Sequence, residues 1–82
     1  MSEFEILRGE LKGVKRNVPL KQYTTFRIGG PAKYFFVART SDDITNAVRA
    51  AKEFKLPFLL LSGGSNILVS DNGFSGLVIQ IK

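Results

Sequence analysis

Ser62, Gly63, Gly64, Ser65 and Asn66 interrupt two apolar runs, Phe58-Leu59-Leu60-Leu61 before them and Ile67-Leu68-Val69 after them. Adjacent glycines remove the Cβ atoms that would hold a ligand off the backbone, and they admit positive φ. Ser65 and Asn66 add a small hydroxyl and a small amide. Successive backbone N–H groups in such a turn can converge into a concave nest suited to phosphate. The five residues are therefore a candidate phosphate cradle at the end of a strand, with a plain tight turn as the competing reading. No Gly-Lys-Ser/Thr comes after them, and no lysine stands between Lys55 and Lys82, so this is not a Walker-type loop. The G-x-G-x-x-G spacing of dinucleotide folds is missing as well. Ile67-Leu68-Val69 is strand-like, so an anion here would be held by the loop itself and not by a helix dipole.

A second segment, Thr24-Thr25-Phe26-Arg27-Ile28-Gly29-Gly30-Pro31-Ala32, contains a turn at Gly29-Gly30-Pro31. If Phe26 and Ile28 point inward, Arg27 points outward, either as a solvated edge residue or as a phosphate or ribose contact.

The elements that must position these segments can be read from periodicity. Phe4, Leu7 and Leu11 fall at i, i+3 and i+7 and predict a short amphipathic helix ended by Gly13. Residues 14–32 read as extended segments and turns. Lys33-Tyr34-Phe35-Phe36-Val37-Ala38 reads as a strand. Residues 41–55 predict a second helix, with a capping box at Thr40 and Asp43 and an apolar stripe of Ile44, Ala47, Val48, Ala51 and Phe54. Pro57 forbids its continuation. Residues 58–61 read as a buried strand, 67–69 as a short strand, Asp71-Asn72-Gly73 as a turn, and 77–81 as a last strand. Strand, helix and strand in that order suit a right-handed βαβ crossover, and the whole is an α/β (α+β) pattern.

Bulk properties set outer limits. Eighty-two residues make at most one small domain. The absence of cysteine fits a reducing compartment, and no apolar stretch is long enough for a membrane span or a signal segment. Twelve Lys and Arg against seven Asp and Glu give a net charge of +5. Those basic residues are spread along the chain, which suits an ordinary solvated face better than a nucleic-acid surface. The chain ends within the apolar alternation Leu77-Val78-Ile79-Gln80-Ile81, which suggests a piece of something longer.

Three segments taken together carry a resemblance. Tyr-Thr-Thr-Phe-Arg-Ile-Gly-Gly-Pro-Ala at 23–32, Leu-Ser-Gly-Gly-Ser-Asn-Ile-Leu-Val-Ser-Asp at 61–71 and Gly-Phe-Ser-Gly-Leu-Val-Ile at 73–79 closely resemble the N-terminal region of the UDP-N-acetylenolpyruvoylglucosamine reductase (MurB) family. The resemblance implies the first part of a vanillyl-alcohol-oxidase-type FAD-binding domain, a βαββ core with a short N-terminal helix. It divides the chain into a helix and extended arm at 1–20 and the beginning of the FAD-binding domain at 21–82, with the remainder and a substrate domain absent. It implies FAD as cofactor, its pyrophosphate wrapped by Ser62, Gly63, Gly64, Ser65 and Asn66. The family usually has glycine where this chain has Ser62, so the backbone there could differ.

By the same resemblance, the parent enzyme takes a hydride from NADPH and reduces UDP-N-acetylglucosamine enolpyruvate to UDP-N-acetylmuramate for peptidoglycan synthesis in the cytoplasm. The family's catalytic serine, glutamate and arginine lie beyond the matched region. None is carried over, and no metal is implied. The expected partners are the UDP-sugar, NADPH and the missing C-terminal portion, with no nucleic acid and no membrane. Self-association through an exposed edge at 77–81 is a further expectation. Two alternatives remain at this point: another FAD-dependent oxidoreductase of the same superfamily, and a non-enzymatic basic binding module.

Overall fold

The computed structural model describes residues 2–20, 30–62 and 74–82. Helix α1 (Glu3–Glu10) begins at Ser2, whose hydroxyl accepts the Glu5 N–H at 3.2 Å, and Glu3 and Glu5 place negative charge in its first turn. Its Leu7 is fully buried, Leu11 continues into the core, and Phe4 packs against the same cluster, so the expected stripe is borne out. The chain turns away at Gly13, where φ is +84°, a conformation that favours glycine.

Strands β1 (Lys15–Pro19), β2 (Pro31–Ala38), β3 (Phe58–Ser62) and β4 (Phe74–Ile81) form one sheet in the order β1-β2-β4-β3. β1 runs antiparallel to β2, while β2 and β3 both run parallel to β4. Tyr34, Phe35 and Phe36 are buried in succession, because both faces of β2 are covered.

Helix α2 (Ser41–Glu53) connects β2 to β3. The expected capping box is present: the Asp43 N–H donates to Thr40 Oγ1 at 3.1 Å, and the Thr40 N–H donates to Asp43 Oδ2 at 3.3 Å. Ala47, Ala50 and Ala51 are its buried residues, and their small size lets the helix lie close over β2 and β4. The helix stops at Glu53, two residues earlier than the periodicity suggests. Leu56 N–H donates to Ala51 O at 2.8 Å and Lys55 N–H to Lys52 O at 3.1 Å. That is a Schellman closure, with Lys55 at φ +55° in the left-handed position usually given to glycine.

Two clusters fill the two faces of the sheet. On the helix face Leu7, Leu11 and Val14 pack with Tyr34, Phe36, Ala38, Leu77, Ile79 and the α2 alanines. On the other face Leu20, Ala32, Phe35, Leu61 and Val78 form a second core. Full burial of each such aliphatic side chain stabilises by about 1.5–3 kcal/mol.

Two expectations need correction. The strand at 77–81 is not an exposed edge: β4 is hydrogen-bonded to β2 on one side and β3 on the other, so it is an interior strand. It inserts between β2 and β3, which are thus parallel but not neighbours, and self-association through it has no free edge to use. Nor is the run at 58–61 buried throughout. Phe58 is 38% and Leu60 43% exposed, while Leu61 is 2% exposed. Among the described residues β3 lies at the sheet margin, beyond β2 and β4 where α2 packs. The strand at 67–69 and the turn at 71–73 lie outside the described residues.

The β2–β4 register shifts once. Ala32 pairs with Phe74 and Tyr34 with Leu77, so Ser75 and Gly76 together stand against Lys33. At this irregularity Gly76 lies hard against the chain entering β3, and Leu77 N–H donates to Pro57 O at 2.9 Å.

Candidate functional site

Because β2, β4 and β3 are parallel, their carboxyl ends lie together on one side of the sheet. Ser62 pairs with Ile81, and Ile81 with Ala38. The next residues, Arg39 and Lys82, leave from the same end, and Lys82 N–H donates to Ala38 O at 3.0 Å. Ligands of open α/β sheets bind outside the carboxyl ends of strands. Ser62, the first residue of the candidate cradle, ends β3 at this position. Gly63, Gly64, Ser65 and Asn66 lie outside the described residues.

α2 also starts at this end, but its N-terminus is already occupied. Asp43 Oδ2 accepts the backbone N–H groups of Arg39, at 3.0 Å, and of Thr40, and Asp42 adds a second carboxylate to the first turn. A helix end filled by its own carboxylates offers little to a phosphate.

The other sequence motif emerges elsewhere. Residues 21–29, including Arg27, lie outside the described residues, but both flanks are defined. Leu20 N–H donates to Gly30 O at 3.2 Å, and Pro19 pairs with Pro31. This motif therefore enters the sheet at the amino end of β2, about 23 Å from the carboxyl end at a strand rise of about 3.3 Å per residue. Phe74, opposite Ala32, starts β4 at that same amino end. Ser62 and Phe74 thus stand at opposite ends of the sheet.

The strongest electrostatic cluster lies away from the strand ends. Tyr34 Oη donates to Glu3 Oε1 at 2.5 Å, and Lys33 Nζ lies 3.4 Å from the same oxygen. Burial, then the Glu3 bond, pushes the Tyr34 phenol up to about 12. The Tyr34 hydrogen bond, with help from Lys33, holds the Glu3 carboxyl below its usual range. Phe4 stacks on Tyr34 with ring centroids 6.1 Å apart, and the Arg16 guanidinium lies 4.8 Å from the Phe4 centroid. These contacts fasten α1 to the sheet. A hollow of about 670 Å³ beside Ile44, Val48 and Lys52 runs along α2 and likewise avoids the strand ends. Among the described residues no group of three acidic, His or Cys side chains could hold a metal ion. No helix among them is long and apolar enough to cross a membrane.

One residue at the carboxyl end was not singled out by motif reading. Among the described residues Gln80 is the polar residue in the buried set, 8% exposed, and it pairs with Leu61, the residue before Ser62. Its signal was visible as the single amide within Leu77-Val78-Ile79-Gln80-Ile81.

A family model described as "FAD binding domain" matches residues 32–82, which takes in β2, α2, β3 and β4. The chain belongs to the FAD binding domain family. Its relatives agree with the resemblance carried by the three motifs. The chain is 47% identical over 66 residues to the UDP-N-acetylenolpyruvoylglucosamine reductase of Thermobifida fusca, covering 80% of this chain and 18% of that protein. To the reductase of the same name from Clostridioides difficile it is 38% identical over 68 residues, 83% of this chain and 22% of that protein. To that of Caldanaerobacter subterraneus it is 36% identical over 84 aligned residues, 95% of this chain and 28% of that protein. The chain thus spans between 17 and 28% of the length of such relatives. An FAD binding domain of mixed α/β architecture is what the motifs implied. The basic binding module without a cofactor is set aside.

Proposed function

We propose that this chain holds the pyrophosphate of FAD in a UDP-N-acetylenolpyruvoylglucosamine reductase, with Ser62, Gly63, Gly64, Ser65 and Asn66 as the contacts. The observation that carries the reading is the position of Ser62. In a chain of the FAD binding domain family it ends a parallel strand at the edge where such sheets take their ligands. The donor set fits the group: a small-residue segment rich in backbone N–H comes directly after Ser62, and the neighbouring helix N-terminus is closed by Asp43. FAD held by these residues would supply hydride transfer, from NADPH to the enolpyruvyl double bond of the UDP-sugar, to give UDP-N-acetylmuramate for the cell wall. The residues of this chain bind and orient the dinucleotide. They supply no acid for the proton that completes the product.

Residues 1–20 act in this reading as an arm that braces the sheet, and residues 21–82 as the start of the cofactor domain. NADPH and the UDP-sugar are water-soluble nucleotides, and we place the reaction in the cytoplasm.

The test is a titration of the purified chain with FAD, monitored by quenching of flavin fluorescence, with a short oligonucleotide as control. Saturable FAD binding, weakened tenfold or more by Gly64→Val, is the expected outcome. Absence of FAD binding, or binding indifferent to Gly64→Val, overturns the assignment of the cradle. NADPH-dependent turnover of the enolpyruvyl substrate by this chain would overturn the division of roles.

A further inference from the structure

The two margins of the sheet are built differently. β1 lies at one of them and carries Lys15, Arg16 and Pro19, all exposed, the charges and proline that keep a free edge from pairing. Among the described residues β3 lies at the other margin, and Phe58-Leu59-Leu60-Leu61-Ser62 brings neither a charge nor a proline to it. Phe58 and Leu60 pair with Leu77 and Ile79, so they stand on the helix face of the sheet. They are exposed there because α2 lies over β2 and β4. The main chain alternates in step. Leu77 N–H donates to Pro57 O at 2.9 Å, so residues 57, 59 and 61 turn their peptide groups toward β4, and Phe58 and Leu60 turn theirs outward. The outward peptide groups and the exposed side chains thus belong to the same pair of residues.

A strand that fits this margin must itself be apolar and uncharged, with outward peptide groups two residues apart. β3 of a second copy has these properties. A two-fold axis at Leu59 sets the strands antiparallel, with Phe58 of each copy opposite Leu60 of the other. Each such pair exchanges both of its N–H···O bonds, and its side chains cover one another. The same axis sets the two α2 helices antiparallel. The acidic start of each, at Asp42 and Asp43, then points toward the basic end of the other, at Lys52 and Lys55. A parallel pairing would set like ends together. The contact is small beside the roughly 1,200–2,000 Å² of a stable interface, and the net charge of +5 opposes it. The dimer is therefore weak, with a dissociation constant on the order of 10–100 μM.

We propose that the margin of β3 is a self-association surface, through which two copies of this chain form one continuous sheet about a two-fold axis at Leu59. The proposal does not depend on the FAD reading.

Sedimentation velocity from about 10 μM to about 1 mM tests it, comparing wild type with Leu60→Lys and Ile6→Lys. Ile6 is exposed on α1, which Phe4 fastens to Tyr34 of β2, and it controls for unspecific apolar contact. Wild type and Ile6→Lys are expected to double in mass with concentration, and Leu60→Lys to dimerise at least tenfold more weakly. Leu59→Cys reads the register in a chain with no other cysteine. Paired Leu59 positions stand about 4.5 Å apart between Cα atoms, within disulfide reach. Oxidised glutathione should therefore cross-link Leu59→Cys at least tenfold faster than Ile6→Cys. Amide hydrogen exchange needs no substitution: exchange at Phe58 and Leu60 should slow as wild-type concentration rises. A wild-type chain that stays monomeric throughout overturns the proposal and leaves the margin to a different polypeptide. So does a folded Leu60→Lys chain that dimerises like wild type, or an Ile6→Lys chain weakened as much as Leu60→Lys. Leu59→Cys cross-linking no faster than Ile6→Cys, or exchange at Phe58 and Leu60 indifferent to concentration, overturns it as well.

Discussion

Gly76→Ala tests the packing that aligns β3 with β4, and so the carboxyl edge where the cofactor site is placed. A Cβ built on Gly76 would lie 2.0 Å from Pro57 O, 2.8 Å from Pro57 Cγ and 2.9 Å from Pro57 C. Ordinary contact begins near 3.4 Å, so the two chains must part by more than an ångström. The same Pro57 carbonyl accepts the Leu77 N–H at 2.9 Å, and a shift of that size breaks this bond. Overpacking of a tight contact costs about 1–3 kcal/mol, and the lost backbone hydrogen bond adds about 1 kcal/mol. Together they give roughly 3 kcal/mol, against a total stability of about 4–12 kcal/mol for a domain of this size. At about 4–8 °C per kcal/mol the melting temperature should fall by roughly 12–24 °C. Far-UV circular dichroism during thermal and urea unfolding reads this directly. Gly9→Ala is the matched control, since it lies in α1 with nothing within 4 Å of the added Cβ, and helix propensity predicts a gain of about 0.5–1 kcal/mol. Pro57→Ala removes Cγ but leaves the carbonyl that makes the 2.0 Å clash, so it should not rescue Gly76→Ala. A Gly76→Ala melting temperature within about 3 °C of wild type, or full rescue by Pro57→Ala, would refute the reasoning.

Tyr34→Phe keeps the stack on Phe4 and removes the donor to Glu3. The partly exposed bond should contribute about 1 kcal/mol at neutral pH. The Glu3 carboxyl is held low, so its stabilisation is present above pH 4.5 and fades as acid reaches its depressed value. The Tyr34 phenol is raised to about 12, so its share is complete below pH 10 and fades as pH approaches 12. Melting curves for wild type and Tyr34→Phe should therefore converge as pH falls below 4.5 and through the depressed Glu3 value, and curves that stay parallel through that fall would sink this account. The margin position of β3 gives a contrast between neighbours: Leu60→Thr should cost less than about 1 kcal/mol and Leu61→Thr more than about 2 kcal/mol in urea unfolding. Equal costs would restore the strand buried on both faces that its apolar run suggests.

The two helices were legible because their signals are local. Thr40 and Asp43 close a ring of hydrogen bonds within four residues, and the stripes of α1 and α2 repeat at the helical period. Lys33 to Ala38 announced a strand for the same reason, since all the information lies in one run, and the structure adds that both its faces are covered. Strand order was not legible. Phe58-Leu59-Leu60-Leu61 has the composition of an interior strand, yet α2 lies over β2 and β4, leaving Phe58 and Leu60 exposed. β4 has a milder composition, with Ser75, Gly76 and Gln80, and takes the interior place. What puts it there is a relation between distant residues. Gly76 has no Cβ, which is what lets Pro57 O come close enough to accept the Leu77 N–H. Periodicity records what each residue prefers, and this contact depends on what one residue lacks.

The site was legible by the same division. The Ser-Gly-Gly-Ser-Asn segment reads as a candidate phosphate cradle, against a plain tight turn, because its chemistry is contiguous. Gln80 reads in isolation as the polar beat of an alternating strand, the position expected to face water. Only when β4 is interior does its own face become buried, and only the parallel register with β3 brings that buried amide level with the residue before Ser62. The strand order that defeats the sequence reading of the fold is therefore also what buries Gln80. If β4 were the free edge that its chain position suggests, Gln80 would be solvated, whereas between β2 and β3 it is 8% exposed.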